Sequence, residues 1–210
     1  SDYLKIKDAL DELIQTFTTS TIIACSTAGE IFQNELNDDS LSVIFLKFEK
    51  TSIKLYTNEI IDTNKSLELG VDLAKNLNAD DLKSIFILSD GLNINGSQLT
   101  KGINSVIKSE VIISGGLAAD GDKFEKTWLL VDGEIKYSHI CAVGFYGLNL
   151  EVKASSFGGW NKFGINRKVT YSKNNVLYSL DDKPALEVYK TYLGNNVKDL
   201  PYSGLFFPLM

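Results

Sequence analysis

Cys25 is the side chain of this sequence best suited to nucleophilic chemistry. It ends the apolar run IIAC and is followed by Ser26 and Thr27, in the segment IIACSTAGEI. Backbone N–H groups in such a turn can stabilise an oxyanion beside a reactive thiolate. A cysteine hydrolase also needs a base, and the one histidine of the chain, His139, shares an alternating apolar face with Cys141. That face favours packing, so a hydrolase that uses Cys25 and His139 is kept only as an alternative.

Metal and phosphate chemistry have less support in the sequence. One histidine and two separated cysteines, with acidic residues in polar loops, give no ligand cluster of zinc spacing. The segment GGLAADG (115–121) has three glycines after a strand, but it matches neither phosphate-binding glycine motif and no helix pattern follows. We interpret its glycines as positions that need a positive φ or a close backbone approach.

Small polar groups at three strand ends suit recognition of a ligand. Ser114, Gly115 and Gly116 end the run VIISGG, and Asp90 follows the apolar part of the run SIFILSDG. Hydroxyls and glycine N–H groups fit the carboxylate of a zwitterion, and a carboxylate at Asp90 fits its ammonium. Asp90 also has a plainer interpretation, which is somewhat favoured, because Asp readily bonds the N–H groups of its own turn.

The segment FGGWNKFG (157–164) combines three glycines with an indole and an amide. Trp160 has a large apolar surface and one N–H donor, so it suits either the core or the cover of a ligand, with Asn161 beside it. Core packing is slightly favoured, and both side chains are nevertheless included in the predicted site. That site therefore comprises Cys25, Ser26, Thr27, Asp90, Ser114, Gly115, Gly116, Trp160 and Asn161.

The elements that must position these groups mix helices with strands. Helical spacing of apolar residues predicts helices over 3–17, about 63–77 and 97–108, and a last helix lies between Pro184 and Gly194. Apolar runs or alternation predict strands over 21–25, 41–48, 52–57, 84–91, 111–116, 127–133, 134–146, 150–155, 168–172 and 176–180. We therefore predict a mixed α/β fold with largely antiparallel sheets covered by helices. A similar order of elements at 3–57 and 97–155 suggests two related halves in a layered sandwich.

Composition excludes two classes of partner. The 210 residues are 44% hydrophobic and carry a formal charge of −6 with no basic cluster, which argues against nucleic acid. No apolar run reaches the roughly 20 residues of a membrane helix, and no signal-peptide pattern opens the chain, so we expect a cytoplasmic protein that does not enter the membrane. Reduced thiols are expected at both cysteines in that compartment.

Five segments together resemble the FIST family, the sensory domains named for F-box and intracellular signal transduction proteins. They are IIACSTAGEI, ILSDG, IISGGLAADG, FGGWNKFG and VLYSLDDKPALEVYKTYLG, in the family's order and across almost the whole chain. The resemblance implies an N-terminal sensory domain at 1–195 and the start of a truncated C-terminal portion at 196–210, in keeping with the apolar end LFFPLM. Many members of the family have Pro at the position of Lys162. This difference lies in the turn that presents Trp160, so the resemblance does not extend to the conformation of that turn.

The resemblance also implies a function. It implies a small-ligand sensor that operates with bacterial signalling proteins such as histidine kinases, cyclic-dinucleotide enzymes or chemoreceptors, with amino acids or their derivatives as ligands. We expect recognition without turnover and without a cofactor, so the protein is not expected to be an enzyme. Some relatives bind haem, so a haem-binding gas sensor that uses His139 is a further alternative. Another is a pure interaction module, in which the exposed end near Phe206 and Phe207 docks the absent C-terminal portion.

Overall fold

The computed structural model describes residues 3–209, which form a mixed α/β fold with four α-helices and twelve strands. The helices are α1 (Tyr3–Thr16), α2 (Ser66–Leu77), α3 (Gly96–Asn104) and α4 (Ala185–Leu193). The strands are β1 (Ile23–Cys25), β2 (Glu30–Phe32), β3 (Glu35–Asn37), β4 (Ser52–Glu59), β5 (Leu82–Ser89), β6 (Ile112–Leu117), β7 (Leu129–Val131), β8 (Glu134–Lys136), β9 (His139–Tyr146), β10 (Val169–Lys173), β11 (Val176–Leu180) and β12 (Lys183–Pro184). Short 3₁₀ helices span Thr63–Lys65, Gly194–Asp199 and Tyr202–Leu205.

The chain divides into two compact units, Ser1–Ser155 and Ser156–Met210. The boundary predicted at residue 195 lies between the N-terminal and C-terminal portions of the family's sequence, and it differs in kind from this boundary between compact units. It stays a prediction. In the described part of the chain, no helix is both long and apolar enough to span a bilayer.

The first unit contains two main sheets. One has the strand order β4-β9-β5-β6, in which β5 and β6 are parallel and the other neighbours are antiparallel. The other has the antiparallel order β1-β7-β8, and β2 and β3 form a separate hairpin. The sheets are thus mostly antiparallel, as predicted, with one parallel pair.

Three apolar clusters arrange these sheets in layers. Helices α2 and α3 cover one face of the four-stranded sheet, around fully buried Leu73, Ile103 and Ile140. Helix α1 covers the three-stranded sheet through Leu10 and Leu130. The remaining faces of the two sheets share a third cluster, which comprises Ala118, Leu129, Val131 and Cys141 with Ile23, Cys25, Leu55 and Leu88 at its margin. The layers are therefore helix, sheet, sheet, helix.

Two glycines let α2 and α3 cross closely. A Cβ on Gly70 would overlap the carbonyl oxygen of Leu99, and a Cβ on Gly102 would overlap that of Leu67. Each helix therefore packs its backbone against the other's, which only glycine at both positions allows.

The strand predicted at 134–146 is in fact two strands. Asp132 (φ 47°) and Gly133 (φ 86°) make the predicted two-residue hairpin between β7 and β8. A second break follows at Ser138 (φ 49°), and the chain passes from β8 in the three-stranded sheet to β9 in the four-stranded one. Alternation continues across such a break, so the sequence pattern could not reveal it.

The strands predicted at 41–48 and 150–155 are wrong, because both segments lack regular secondary structure. In the first segment Leu41 packs in the cluster beneath α1, while the residues after it are exposed. The ring of Phe45 lies 4.7 Å from that of Phe17, and the ring of Phe48 lies 5.7 Å from that of Phe145. Aromatic contacts, rather than a strand ladder, hold this apolar run in the described structure.

The predicted halves agree in element order but differ in pairing. Each contains a helix followed by four strands, α1 with β1 to β4 and α3 with β6 to β9. However, β1 lies in the three-stranded sheet and β6 in the four-stranded one. Common descent of the halves stays a prediction.

The second unit is a three-stranded antiparallel sheet, β10-β11-β12, with α4. Asn174 (φ 54°) turns the chain between β10 and β11, where the sequence predicted a tight turn. Helix α4 follows Pro184 and ends at Gly194, as predicted. Arg167 donates to Asp181 at 3.0 Å and to the hydroxyl of Tyr192 at 2.9 Å, which ties the loop before β10 to the helix.

Candidate functional site

The ends of β1 and β6 and the start of β7 meet around Ser26 in the first unit. The N–H of Ser26 donates to the carbonyl of Trp128 at 3.0 Å, and the N–H of Trp128 donates back to Ser26 Oγ at 3.1 Å. The N–H of Ala119, just after β6, donates to the carbonyl of Ser26 at 2.9 Å. Ser26 is 1% exposed and holds these strand ends together, and a contact between Ser26 and a ligand stays a prediction.

Asp90 forms the turn after β5. Its Oδ1 accepts from the N–H of Leu92 at 3.0 Å and from the N–H and side-chain amide of Asn93 at 2.6 and 3.1 Å. Its Oδ2 accepts from the hydroxyl of Thr127 at 2.6 Å. The side chain is 2% exposed. This geometry matches the plainer interpretation, in which Asp90 shapes its own turn, and a contact between Asp90 and a ligand stays a prediction.

Thr127 is a member of this group that sequence reasoning missed. Its hydroxyl donates to Asp90 and accepts from the N–H of Gly91 at 3.1 Å. The N–H of Asp90 itself donates to the carbonyl of His139 at 2.8 Å, which brings in the start of β9. In the sequence, Thr127 is recognisable only as the residue before Trp128 in the predicted strand TWLLVDG. The pattern of a single strand does not reveal a contact with residue 90. We call Ser26, Asp90, Thr127 and Trp128 the strand-end junction.

The turn after β1 carries the half-buried side chains at the edge of the junction. The hydroxyl of Thr27 donates to Glu30 Oε1 at 2.5 Å. Cys25 packs in the cluster between the sheets with Leu88. Burial and, next, the negative charge of Glu30 raise the pKa of the Cys25 thiol.

This environment does not activate Cys25. In the part of the chain that the structure describes, no hydrogen bond joins Cys25 to His139. The ring Nδ1 of His139 instead lies 2.6 Å from the carbonyl oxygen of Tyr137. A raised pKa keeps the thiol protonated at neutral pH, whereas a catalytic cysteine needs a lowered one.

Ser114, Gly115 and Gly116 lie on β6, the edge strand beside β5. Ser114 is opposite Phe86 and Gly116 is opposite Leu88, so both lie on the sheet face that bears the Cys25 cluster. Gly115 (φ 141°) has a backbone role, since a Cβ there would overlap the carbonyl oxygen of Ile87. The interpretation of this glycine as a close backbone approach with positive φ is thus confirmed.

Trp160 and Asn161 lie in the second unit, in a stretch without regular secondary structure. Trp160 is 51% exposed and Asn161 is exposed, so the core-packing interpretation of Trp160 is wrong. The other seven predicted residues lie in the first unit. Participation of Trp160 and Asn161 in a common site stays a prediction.

Other features of the surface do not add to this site. A shallow depression of about 760 Å³ lies on the outer face of α3, lined by Gly96, Ser97, Thr100, Lys101, Asn104 and Ser105. None of the predicted residues lines it. Among residues 3–209, no group of three or more His, Cys, Asp or Glu side chains is placed to hold a metal ion.

The first unit is thus a layered α/β domain whose loops gather at the strand ends. The chain matches the FIST N domain over residues 1–183, and it belongs to that family. FIST domains are sensory domains of signal transduction. An uncharacterized protein of Methanocaldococcus jannaschii is 27% identical over 206 residues, which cover 92% of this chain and 39% of that relative. No solved structure matches the chain.

Proposed function

We propose that this chain is the ligand-sensing domain of a signalling protein and that it recognises an amino acid or a related small polar metabolite without turnover. The observation that carries the proposal is the strand-end junction, in which Ser26 and Trp128 exchange two hydrogen bonds. The junction brings the turn after β1 close to the ends of β5 and β6. Membership of a sensory family supports the same function.

The buried junction supports the site and the half-buried residues around it would contact the ligand. A binding site is precise when its first contacts are held by packing and by a second layer of hydrogen bonds. Ser26 and Asp90 supply that second layer, because their polar atoms are bonded within the protein. Thr27, Ser114 and Gly116 are more accessible and would meet a ligand directly.

The free edge of β6 supplies hydrogen-bonding groups for a carboxylate. Among residues 3–209, strand β6 pairs with β5 on one side only, so alternate backbone groups along it point away from the sheet. Gly115 and Gly116 leave this backbone uncovered, and both are exposed. N–H groups at this edge therefore suit the carboxylate of an amino acid.

The state of the thiol supports recognition over catalysis. Burial and the charge of Glu30 raise the pKa of Cys25, and a protonated thiol is a weak nucleophile. The proposal therefore assigns Cys25 a packing role at the edge of the site and no covalent step.

Haem binding through His139 is the alternative that one observation favours. If the Nδ1–H donates to the carbonyl of Tyr137, Nε2 is left with its lone pair, which is the arrangement of most metal-bound histidines. Haem added to the full-length protein would then give a Soret band that His139→Ala abolishes. An unchanged spectrum on addition of haem counts against this alternative.

Family membership also supports the expected partners. We propose that ligand binding is transmitted to a histidine kinase, a cyclic-dinucleotide enzyme or a chemoreceptor in a bacterial cytoplasm. The M. jannaschii relative is longer than this match, so other parts of such a protein would carry the output.

A thermal-shift panel of amino acids and related metabolites on the full-length protein tests the proposal. A ligand at 100 times its Kd adds about 2.7 kcal/mol to the free energy of unfolding, which raises Tm by several degrees. Ser114→Ala, on the proposed site, would reduce the shift, and Ser97→Ala, on the outer face of α3, would not. Absence of a shift with every compound would contradict the proposal.

A further inference from the structure

We infer that Glu30, rather than Asp90, is the anionic group that binds the ammonium of the ligand, so the site selects molecules with a primary amine. This inference rests on the proposed function, because it concerns the same site. It assigns the selectivity for an amine to a residue outside the set predicted from the sequence.

Asp90 is poorly placed to bind a cation. Its carboxylate accepts four hydrogen bonds from within the protein and is 2% exposed. An incoming ammonium would have to lose its water and displace the hydroxyl of Thr127. Thr127 would then lack a buried acceptor, which is a costly state for a hydroxyl.

Glu30 has the free capacity that Asp90 lacks. It begins β2 directly after the turn that bears Thr27, and it is half-buried. Its Oε1 accepts from Thr27, and its Oε2 accepts no hydrogen bond from residues 3–209. A half-buried carboxylate binds a cation more strongly than an exposed one because water screens it less.

Glu30 also lies beside the proposed site. Its Oε1 accepts from the hydroxyl of Thr27, the residue that follows Ser26. The carbonyl of Ser26 accepts from the N–H of Ala119, just after β6, at 2.9 Å. An ammonium at Glu30 would therefore lie close to the end of β6, whose edge suits a carboxylate.

Neighbouring carboxylates are engaged or solvated. Asp39 pairs with Lys5 at 2.8 Å. Asp120 accepts from the N–H groups of Phe124, Glu125 and Lys126, at 3.2, 2.7 and 2.8 Å. Asp38 lies near Gly29 but is exposed, and an exposed carboxylate contributes little to binding a cation.

Calorimetry on the full-length protein tests the inference, with the twenty amino acids as first probes. Each amino acid that binds is then compared with two analogues, the amine without its carboxylate and the carboxylic acid without its amine. We expect the carboxylic acid to bind at least tenfold more weakly than the amino acid. We expect Glu30→Gln to weaken binding of the amino acid by at least tenfold, through loss of a charge-assisted hydrogen bond.

Glu35→Gln is the matched control, since Glu35 lies on β3 of the same hairpin and is exposed. It removes one charge and should change affinity less than twofold. If neither an amino acid nor any related metabolite of the thermal-shift panel binds the wild type, the proposed function fails, and this inference with it. If only compounds without an amine bind, this inference alone is overturned. If an amino acid binds the wild type and either the amine-free acid or Glu30→Gln preserves its affinity, this inference alone is overturned. The analogue comparison needs no variant and decides the matter even if Glu30→Gln does not fold.

Discussion

The hydroxyl of Thr127 donates a 2.6 Å hydrogen bond to the carboxylate of Asp90, and each side chain is 2% exposed. The bond joins the loop after β5 to the residue before Trp128 and β7, and these strands belong to different sheets. Thr127 also accepts from the N–H of Gly91. One buried hydroxyl thus satisfies two partners and ties the layers together at the proposed site.

Thr127→Val should lower the free energy of unfolding by about 2 kcal/mol. The change keeps the shape of the side chain but leaves a carboxylate oxygen and an N–H buried without their partner, and each such loss costs about 1–3 kcal/mol. Urea unfolding followed by circular dichroism measures the effect. Thr21→Val is the control, because Thr21 is exposed, and it should stay within about 0.5 kcal/mol of wild type. Equal stability of the two variants would show that the hydrogen bond between Thr127 and Asp90 contributes nothing.

Gly115→Ala and Gly116→Ala should differ sharply although the residues are neighbours. A Cβ on Gly115 would overlap the carbonyl of Ile87, whereas a Cβ on Gly116 meets nothing within 4 Å. Gly115→Ala must therefore push β6 away from β5, and we expect a loss of about 2 kcal/mol or more, from overpacking and from the positive φ. Gly116→Ala should change stability by less than about 0.5 kcal/mol. Thermal unfolding of both variants in parallel makes the comparison, and a similar Tm for the two would refute the close approach.

The native protein should lose stability above about pH 9 through Cys141. Burial and, next, Cys25 raise the pKa of Cys141 to about 12, from an ordinary value of 9.0. Between these values the unfolded chain releases the proton and the native state keeps it, so the free energy of unfolding falls as pH rises. This one group gives a slope of at most about 1.4 kcal/mol per pH unit, and its stabilisation is fully present below pH 9.

Urea unfolding of Cys141→Ala between pH 8 and 10.5 measures this contribution as a decrease in the slope, because Cys25, whose pKa is also raised, keeps its own contribution. Val143→Ala is the control, since Val143 is buried on the same strand and has no proton to lose. It should lower stability at every pH without a change of slope. A slope in Cys141→Ala as steep as in wild type would contradict the assignment.

Cys25 should be alkylated slowly at neutral pH, and its rate should still be rising with pH at pH 9 because the thiolate fraction has not yet levelled off. Burial and then the charge of Glu30 raise the pKa of this thiol above its ordinary value of 9.0. Glu30→Gln should therefore shift the pH dependence of iodoacetamide labelling to lower pH, and Glu35→Gln should not. Peptide mapping by mass spectrometry separates Cys25 from Cys141. Rapid labelling of Cys25 at pH 7 would revive the hydrolase alternative.

Local patterns in the sequence predicted helices, strands and turns well where the residues of one segment are enough to specify its conformation. The hairpin at Asp132 and Gly133 follows from residues that adopt positive φ, and α4 follows from its flanking Pro and Gly. The strands of the four-stranded sheet follow from their apolar runs. The segment 41–48 has the same pattern without a ladder, since a strand also needs a partner edge, which no single segment specifies.

The sequence by itself determined which apolar runs end in small polar residues, and it indicated a turn at Asp90, but it did not show that Ser114, Gly115 and Gly116 lie within β6. Only the tertiary structure decided that Ser26 and Asp90 are bonded inside the protein while Oε2 of Glu30 accepts no hydrogen bond from the described residues. The physical reason is that the capacity of a polar atom to bind a ligand depends on which partners already satisfy it. Those partners, such as Thr127 for Asp90, are brought together by the packing of two sheets and lie far apart along the chain.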